Sequence, residues 1–317
     1  MIGVLIALGL LAVYLTALLL RALARGERTQ LRTTLIQMRV PGLPDDLAGW
    51  KLALVADLHV GRMYVPRERL LQALADADPD YLALAGDYAA GGRWREEAMA
   101  LLGCLAARWP MVCTLGNTEI YQKWDVAQVR AELEQAGSAL LVNDSRQVPV
   151  GAAMVEFIGL DDPKHGKLDV AGALAGALRH PDLRVVVAHS PAVWRELGRL
   201  GAHVLLCGHT HGGQVRVPGM EALTMHPGIE RRLAAGLFRY RQAGKRRARM
   251  ERRASHWRIL SRPSRPLSAS TAQGPLMYVT RGIGATGPRV RLFCPPELVL
   301  IEFTPAQGGD EEAAQPD

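Results

Sequence analysis

Residues 203–214 read HVLLCGHTHGGQ, a short apolar run, His203–Cys207, followed at once by His209 and His211 and then by Gly212, Gly213 and Gln214. A run of this length with β-branched and aliphatic residues suits a strand buried on both faces, as in a parallel sheet. Upstream the same pattern recurs. Lys51–Ala56 ends in Asp57 and His59 (VADLH), Tyr81–Ala85 in Asp87 (LAGDY), Met111–Leu115 in Asn117 (LGNTE), and Arg184–Ala188 in His189 (VVAHS), with a further run at Val155–Leu160. Amphipathic stretches at Pro66–Ala77, Trp124–Ala136 and Pro191–Leu200 separate several of these runs, the last opened by Ser190 as N-cap with Pro191 in the first turn. Leu276–Thr280 and Glu297–Phe303 read as closing strands. This alternation predicts an α/β sheet sandwich.

Side chains at the carboxyl ends of parallel strands converge on one crevice, where a rigid sheet fixes them and loops admit substrate. Histidine, carboxylate and amide oxygen together suit Mn, Fe or Zn. The four cysteines, Cys104, Cys113, Cys207 and Cys294, form no CxxC pair and sit mostly in apolar stretches, so they read as buried thiols.

The ordered set DLH, GD, GN, H and GHTHGGQ resembles the calcineurin-like metallophosphoesterases over about residues 50–303. With the terminal block YVTRGIGATGPRVRLFCPPELVLIEF it is similar to their membrane-associated bacterial branch, which includes UDP-2,3-diacylglucosamine pyrophosphatases of lipid A synthesis. The resemblance implies the α/β/β/α sandwich of that superfamily and two divalent metal ions. It implies that Asp57, His59 and His211 hold one ion, that Asn117, His189 and His209 hold the other, and that Asp87 bridges them. Asp87, Asn117 and His189 are the members expected to act in catalysis. Arg281, Arg289 and Arg291 in the terminal block are expected to meet substrate, since a guanidinium can grip a diphosphate with two parallel bonds. Met63, Tyr64 and Val65 are expected near an entrance for acyl chains. His165, His180, His203, His226 and His256 fall in no matching block and receive no role.

One block departs from the family pattern. GNH followed by an acid is usual, and here the sequence reads GNTE, with Thr118 in place of the histidine. Threonine gives up no proton near neutral pH, so an alkoxide leaving group loses a general-acid contribution of roughly 10²–10⁴ in rate. A diphosphate bond loses less, because its leaving group is a phosphate monoester with a second pKa of about 6. Another acid, such as Lys164 or His165 in the loop DDPKHGK, would weaken this argument.

The amino-terminal twenty residues, MIGVLIALGLLAVYLTALLL, carry no charge and match the roughly 20 residues that cross a hydrocarbon core as a helix. Arg21, Arg25 and Arg28 follow the run instead of preceding it, which favours an anchor over a cleaved leader and places the catalytic domain in the cytoplasm, beneath the inner membrane. The reduced cysteines agree with that side. The expected organisation is an anchor over 1–20, a linker over 21–48, a metallophosphoesterase domain over 49–304 with a basic insertion at about 239–273, and a disordered tail over 305–317.

That insertion concentrates the positive charge of the chain. Residues 239–265 hold eleven Arg and Lys against one acid, Glu251, while the whole chain carries a net +7. Such a segment attracts polyanions, and beside an anchor the expected partner is an anionic membrane surface. Nucleic acid is the lesser expectation, because only Tyr240 and Trp257 are available for base stacking. The expected activity is hydrolysis of a phosphoric anhydride or ester in a membrane-associated or lipid-linked nucleotide substrate, with UDP-2,3-diacylglucosamine as first candidate. A general phosphodiesterase or nuclease, and an inactive metal-binding scaffold, are the alternatives; no protein partner is inferable.

Overall fold

The computed structural model describes residues 2–24, 26–217, 220–223, 228–241, 248–255, 259–260, 266–287 and 289–306. Helix α1 (Ile2–Ala24) precedes strand β1 (Arg32–Val40). Then come β2 (Lys51–Val55), α2 (Arg67–Ala77), β3 (Tyr81–Ala85), α3 (Arg95–Ala106), β4 (Met111–Thr114), α4 (Asn117–Tyr121) and α5 (Val126–Gln135). The middle of the chain gives β5 (Ala139–Leu140), β6 (Asp144–Val150), β7 (Ala153–Leu160), α6 (Val170–Ala175), β8 (Leu183–Ala188), α7 (Leu197–Leu200) and β9 (Val204–Cys207). The last strands are β10 (Gly236–Arg241), β11 (Arg249–Ser255), β12 (Leu267–Ser270), β13 (Leu276–Val279) and β14 (Glu297–Pro305).

Two seven-stranded sheets result, ordered β12-β1-β14-β2-β3-β4-β5 and β11-β10-β13-β9-β8-β7-β6. Strands β2 to β5 run parallel, as do β7, β8, β9 and β13, so the loops after β2, β3, β4, β8 and β9 leave from carboxyl ends. Alternating side chains sort into layers, as the period of two along a strand requires. Leu52, Leu54, Ala83, Val185, Val187 and Leu206 meet between the sheets. Ala53, Val55, Leu82 and Leu84 turn outward onto Leu70 and Leu74 of α2 and Leu101, Leu102 and Leu105 of α3, while Val186 and Leu205 cover Val193, Trp194 and Leu197 on the far side. Apolar faces on both sides of each sheet make the α/β/β/α sandwich, preceded by one apolar helix long enough to cross a membrane over Ile2–Leu20.

Three expectations change. The domain begins well before Gly49, because residues 32–40 of the presumed linker form β1, hydrogen-bonded between β12 and β14. Ile36, Met38 and Val40 point into the core while Arg32, Thr33, Gln37 and Arg39 alternate with them, so no apolar run marks the strand. The basic insertion is mostly sheet where it is described: β10 takes up Arg239 and Arg241, β11 takes up Arg249, Arg252 and Arg253, and buried Arg239 donates to the Ser270 carbonyl and Gln273 Oε1. Lys245, Arg246, Arg247, His256, Trp257, Arg258, Arg262 and Arg265 lie outside the described residues, as do His226 and the tail from 307. Finally, the stretch from Pro191 starts as a 3₁₀ helix to Glu196 and becomes α7 only for its last turn, with Ser190 Oγ accepting the Ala192 N–H at 3.3 Å.

Candidate metal centre

Strands β2, β3, β8 and β9 stop one or two residues before a ligand and β4 three before Asn117, and after β2, β3 and β9 the backbone turns into the left-handed region. Asp57, His59, Asp87, His209 and His211 all have positive φ, between 41° and 70°. Non-glycine residues adopt this region at a cost, which the surrounding structure must impose, and such residues gather at functional sites. The turn lets Asp57 and His59, two residues apart, reach the same point. Close approach of backbone completes the seats: a Cβ at Gly116 would collide with the Asp87 carboxylate, and one at Gly282 or Gly284 would strike Asp57 or its neighbours.

The seven predicted ligands come together at this end of the sheets. Asp57, His59, Asp87 and His211 are all buried, with one donor atom from each within 4.8 Å of the others. His59 Nε2 stands 3.2 Å from Asp87 Oδ2 and 3.2 Å from His211 Nε2, with the two rings stacked. On the other side of Asp87, His189 Nε2 lies 3.5 Å from Asp87 Oδ1, 3.0 Å from Asn117 Oδ1 and 2.9 Å from His209 Nδ1. His189 Nδ1 is 2.8 Å from the Ala85 carbonyl, so its proton belongs there and Nε2 turns a lone pair to the site. Asp57 is held from behind by the His209 backbone N–H at 3.0 Å, and Asp87 Oδ1 by the Thr118 N–H at 2.8 Å.

Charge in this enclosure is unbalanced without cations. Burial pushes the Asp57 carboxyl up to about 6 against the pull of the His189 charge. Burial opposes ionisation of Asp87 too, but the charges of His189 and His59 prevail and hold it well below the usual carboxylate range. Burial lowers His59 and His189, yet the Asp87 charge outweighs it and both are raised. His211 is driven well down by burial and the neighbouring His59 charge. Two carboxylates, an amide oxygen and four imidazoles, with facing Nε2 atoms that cannot satisfy each other as lone-pair bearers, fit divalent cations on either side of Asp87.

A functional residue escaped the sequence reading. Glu119 is fully buried and accepts the N–H groups of Asp87, Tyr88 and Gly116 at 2.9, 2.8 and 2.9 Å. It fixes the Asp87 and Asn117 turns to each other, and the acid position after GNT was the available signal. Burial and the Asp87 charge raise its carboxyl. Two other expectations reverse. Arg281 and Arg291 are buried, Arg281 against Glu297 at 2.8 Å and Arg291 donating to the carbonyls of Arg281, Gly282, Gly284 and Cys294. These guanidiniums brace the glycine loop behind Asp57 and do not reach out to substrate; of the three arginines only Arg289 is exposed. Val65 belongs to the core, with Met63 packed on it from the edge. His165 packs tilted against Tyr121, ring centres 4.9 Å apart, with Nδ1 3.1 Å from Asp162, and His203 Nδ1 accepts the Arg184 N–H.

A sandwich of this topology, carrying such a cage at its strand ends, defines a metal-dependent phosphoesterase hydrolase. The chain belongs to the family described as calcineurin-like phosphoesterase, whose model matches residues 51–213 and which uses divalent metal ions. It is similar to Phosphodiesterase YaeI of Escherichia coli (strain K12), 27% identical over 275 residues, 85% of this chain and 87% of the relative. It is 26% identical over 168 residues to an uncharacterized metallophosphoesterase, YkoQ, of Bacillus subtilis (strain 168), covering 52% of this chain and 62% of that one. A transmembrane protein with metallophosphoesterase domain from Danio rerio is 28% identical over 210 residues, 61% of this chain and 47% of its own length.

Proposed function

We propose that the chain is a single-pass membrane hydrolase that cleaves a diphosphate or activated diester bond in a lipid-linked substrate, with its catalytic domain on the cytoplasmic side of the inner membrane. The observation that carries the bond type is Thr118. Its backbone N–H steadies Asp87, while its side chain offers no proton to a leaving group, which favours leaving groups that depart as stable anions. Support for the membrane comes from the apolar helix over Ile2–Leu20, and support for the side from the arginines that follow it.

In this reading the protein supplies positions and charge. Divalent ions, when bound, polarise the phosphoryl group and promote ionisation of the attacking water. Asp87 stands between the two donor sets, its oxygens divided between the His59 side and the His189 side. Ala85 fixes the His189 tautomer, and Asn117 offers an uncharged oxygen beside it. Burial of Asp57, His59, Asp87, His189, His209 and His211 excludes bulk water from the far side, which strengthens every charge interaction within.

A nucleotide diphosphate linked to an acylated sugar, such as UDP-2,3-diacylglucosamine, meets these requirements. A broader phosphodiesterase is the second reading, favoured by the YaeI likeness. The test uses Mn²⁺-loaded full-length protein in detergent, comparing UDP-2,3-diacylglucosamine, bis(p-nitrophenyl) phosphate and an alkyl phosphomonoester. Preferred release of UMP supports the lipid-linked diphosphate; preference for the diester supports the second reading. Rapid hydrolysis of the monoester sinks the argument from Thr118. Thr118→His is expected to raise the monoester rate by up to about 10².

A further inference from the structure

The amino-terminal helix does not join the domain at an arbitrary point. Nineteen residues from Ile2 to Leu20 rise about 28 Å, close to the thickness of a hydrocarbon core, so the chain beyond Leu20 enters the headgroup layer. Three residues after the helix ends, Glu27 accepts the Phe293 N–H at 2.6 Å, a span that extended chain bridges in at most about 10 Å. Arg28 lies 4.6 Å over the Tyr64 ring, in the loop that leaves His59, and the Arg32 N–H donates to the Pro296 carbonyl. β1 therefore starts opposite Glu297, beside the carboxyl end of β2 where Asp57 sits. The tether is sewn to the rim of the metal centre.

Beside this junction is a cavity of about 410 Å³ lined by Thr29, Gln30, Leu31, Arg32, Thr33 and Arg69. Its lining holds two arginines and two threonines and, among the described residues, no acid. Arg67 and Arg69 are exposed on the first turn of α2, and Arg28, Arg32 and Arg62 are half-buried around them, with Glu68 the exposed acid nearby. Apolar side chains share this end: Tyr121, Met220 and Leu223, in segments that leave the Asn117 and His211 blocks, are 64%, 53% and 40% exposed. Basic groups with scattered apolar ones are what an anionic lipid surface receives.

We propose that the metal-bearing end of the domain lies against the headgroup layer of its own membrane, and that the cavity between residues 29–33 and α2 takes the phosphate of an anionic phospholipid. The crevice then meets substrates in the membrane plane. This rests on the membrane-tethered reading of α1 and is independent of which bond is cleaved.

The test places the full-length Cys104→Ser protein in lipid nanodiscs containing a nickel-chelating lipid. Nitroxide labels go on Tyr121→Cys, Leu223→Cys or, at the amino ends of the strands, Arg108→Cys. Strong relaxation of the first two labels and weak relaxation of the third is expected; equal or inverted effects overturn the orientation. In phosphatidylglycerol discs the Tyr121→Cys label should relax more than in phosphatidylcholine discs, and Arg32→Gln/Arg69→Gln should abolish that difference while detergent hydrolysis of bis(p-nitrophenyl) phosphate is unchanged. Persistence of the difference in the double variant overturns the headgroup site, as does its reproduction by inorganic phosphate in phosphatidylcholine discs. A protein that hydrolyses no phosphoester with metal would refute the proposed function and leave the label distances standing.

Discussion

At the amino end of β8, Glu156 and Arg184 bury one charge of each sign, whereas at the carboxyl ends Asp57, Asp87 and Glu119 gather around histidines. The first pair is closed on itself. Arg184 Nε donates to Glu156 at 2.6 Å and its other nitrogens to the carbonyls of Leu200 and Leu178, while Glu156 accepts the Leu178 N–H. The second group keeps imidazole lone pairs pointed at one another, and among the described residues His211 Nδ1 has no hydrogen-bond partner. Buried charge that is fully paired holds a fold in one arrangement, and buried charge left open reserves room for ligands.

Substitutions at the two ends should separate these roles. Asp87→Ala is expected to lower metal-dependent hydrolysis by more than about 10³, since the positioned metal charge supplies several kcal/mol to the transition state. Steady-state rates across a Mn²⁺ titration check it, and an unchanged rate would remove Asp87 from the centre. Glu156→Ala leaves Arg184 buried without its partner and should cost about 3–5 kcal/mol of stability in urea unfolding, with the rate per folded molecule preserved. Glu119→Gln keeps the shape but weakens the grip on three N–H groups, so metal affinity should fall about 10–100-fold with the fold intact.

Acidity offers the gentlest probe. Metal binding requires ionised Asp57 and neutral imidazoles, and without metal Asp57 titrates at about 6 while His59 and His189 are raised. Protons therefore compete increasingly as pH falls, and affinity at pH 5.5 should be about tenfold or more below that at pH 7.5 in a competitive chelator titration. The Glu156–Arg184 end should show no matching change in its response to Mn²⁺.

Much of the metal end was legible because each strand is a continuous apolar run that ends in a ligand residue, from VADLH to CGHTHGGQ. What failed was of three kinds. β1 hides in a period-two pattern in which Thr34 is buried through a bond to Glu297, so half of its residues look like linker. Arg239 read as part of a charged insertion, and Arg281 and Arg291 as substrate contacts, because their acceptors are carbonyls and carboxylates remote in sequence or set by loop geometry. The contact of Glu27 with Phe293 joins residues 266 apart, and no local pattern announces it.

The strand between β1 and β2 in the first sheet is β14, the last one made. A chain growing from its amino end releases α1 and then β2 with Asp57 long before Glu297–Pro305 leaves the ribosome. Until then β1 and β2 lack their common neighbour, and the glycine loop at 282–284 has not closed behind Asp57. Domains are completed as units, and here completion waits for the final strand. Throughout synthesis the chain thus lacks a finished metal centre, and on this topology hydrolysis would begin only when translation of the domain has ended.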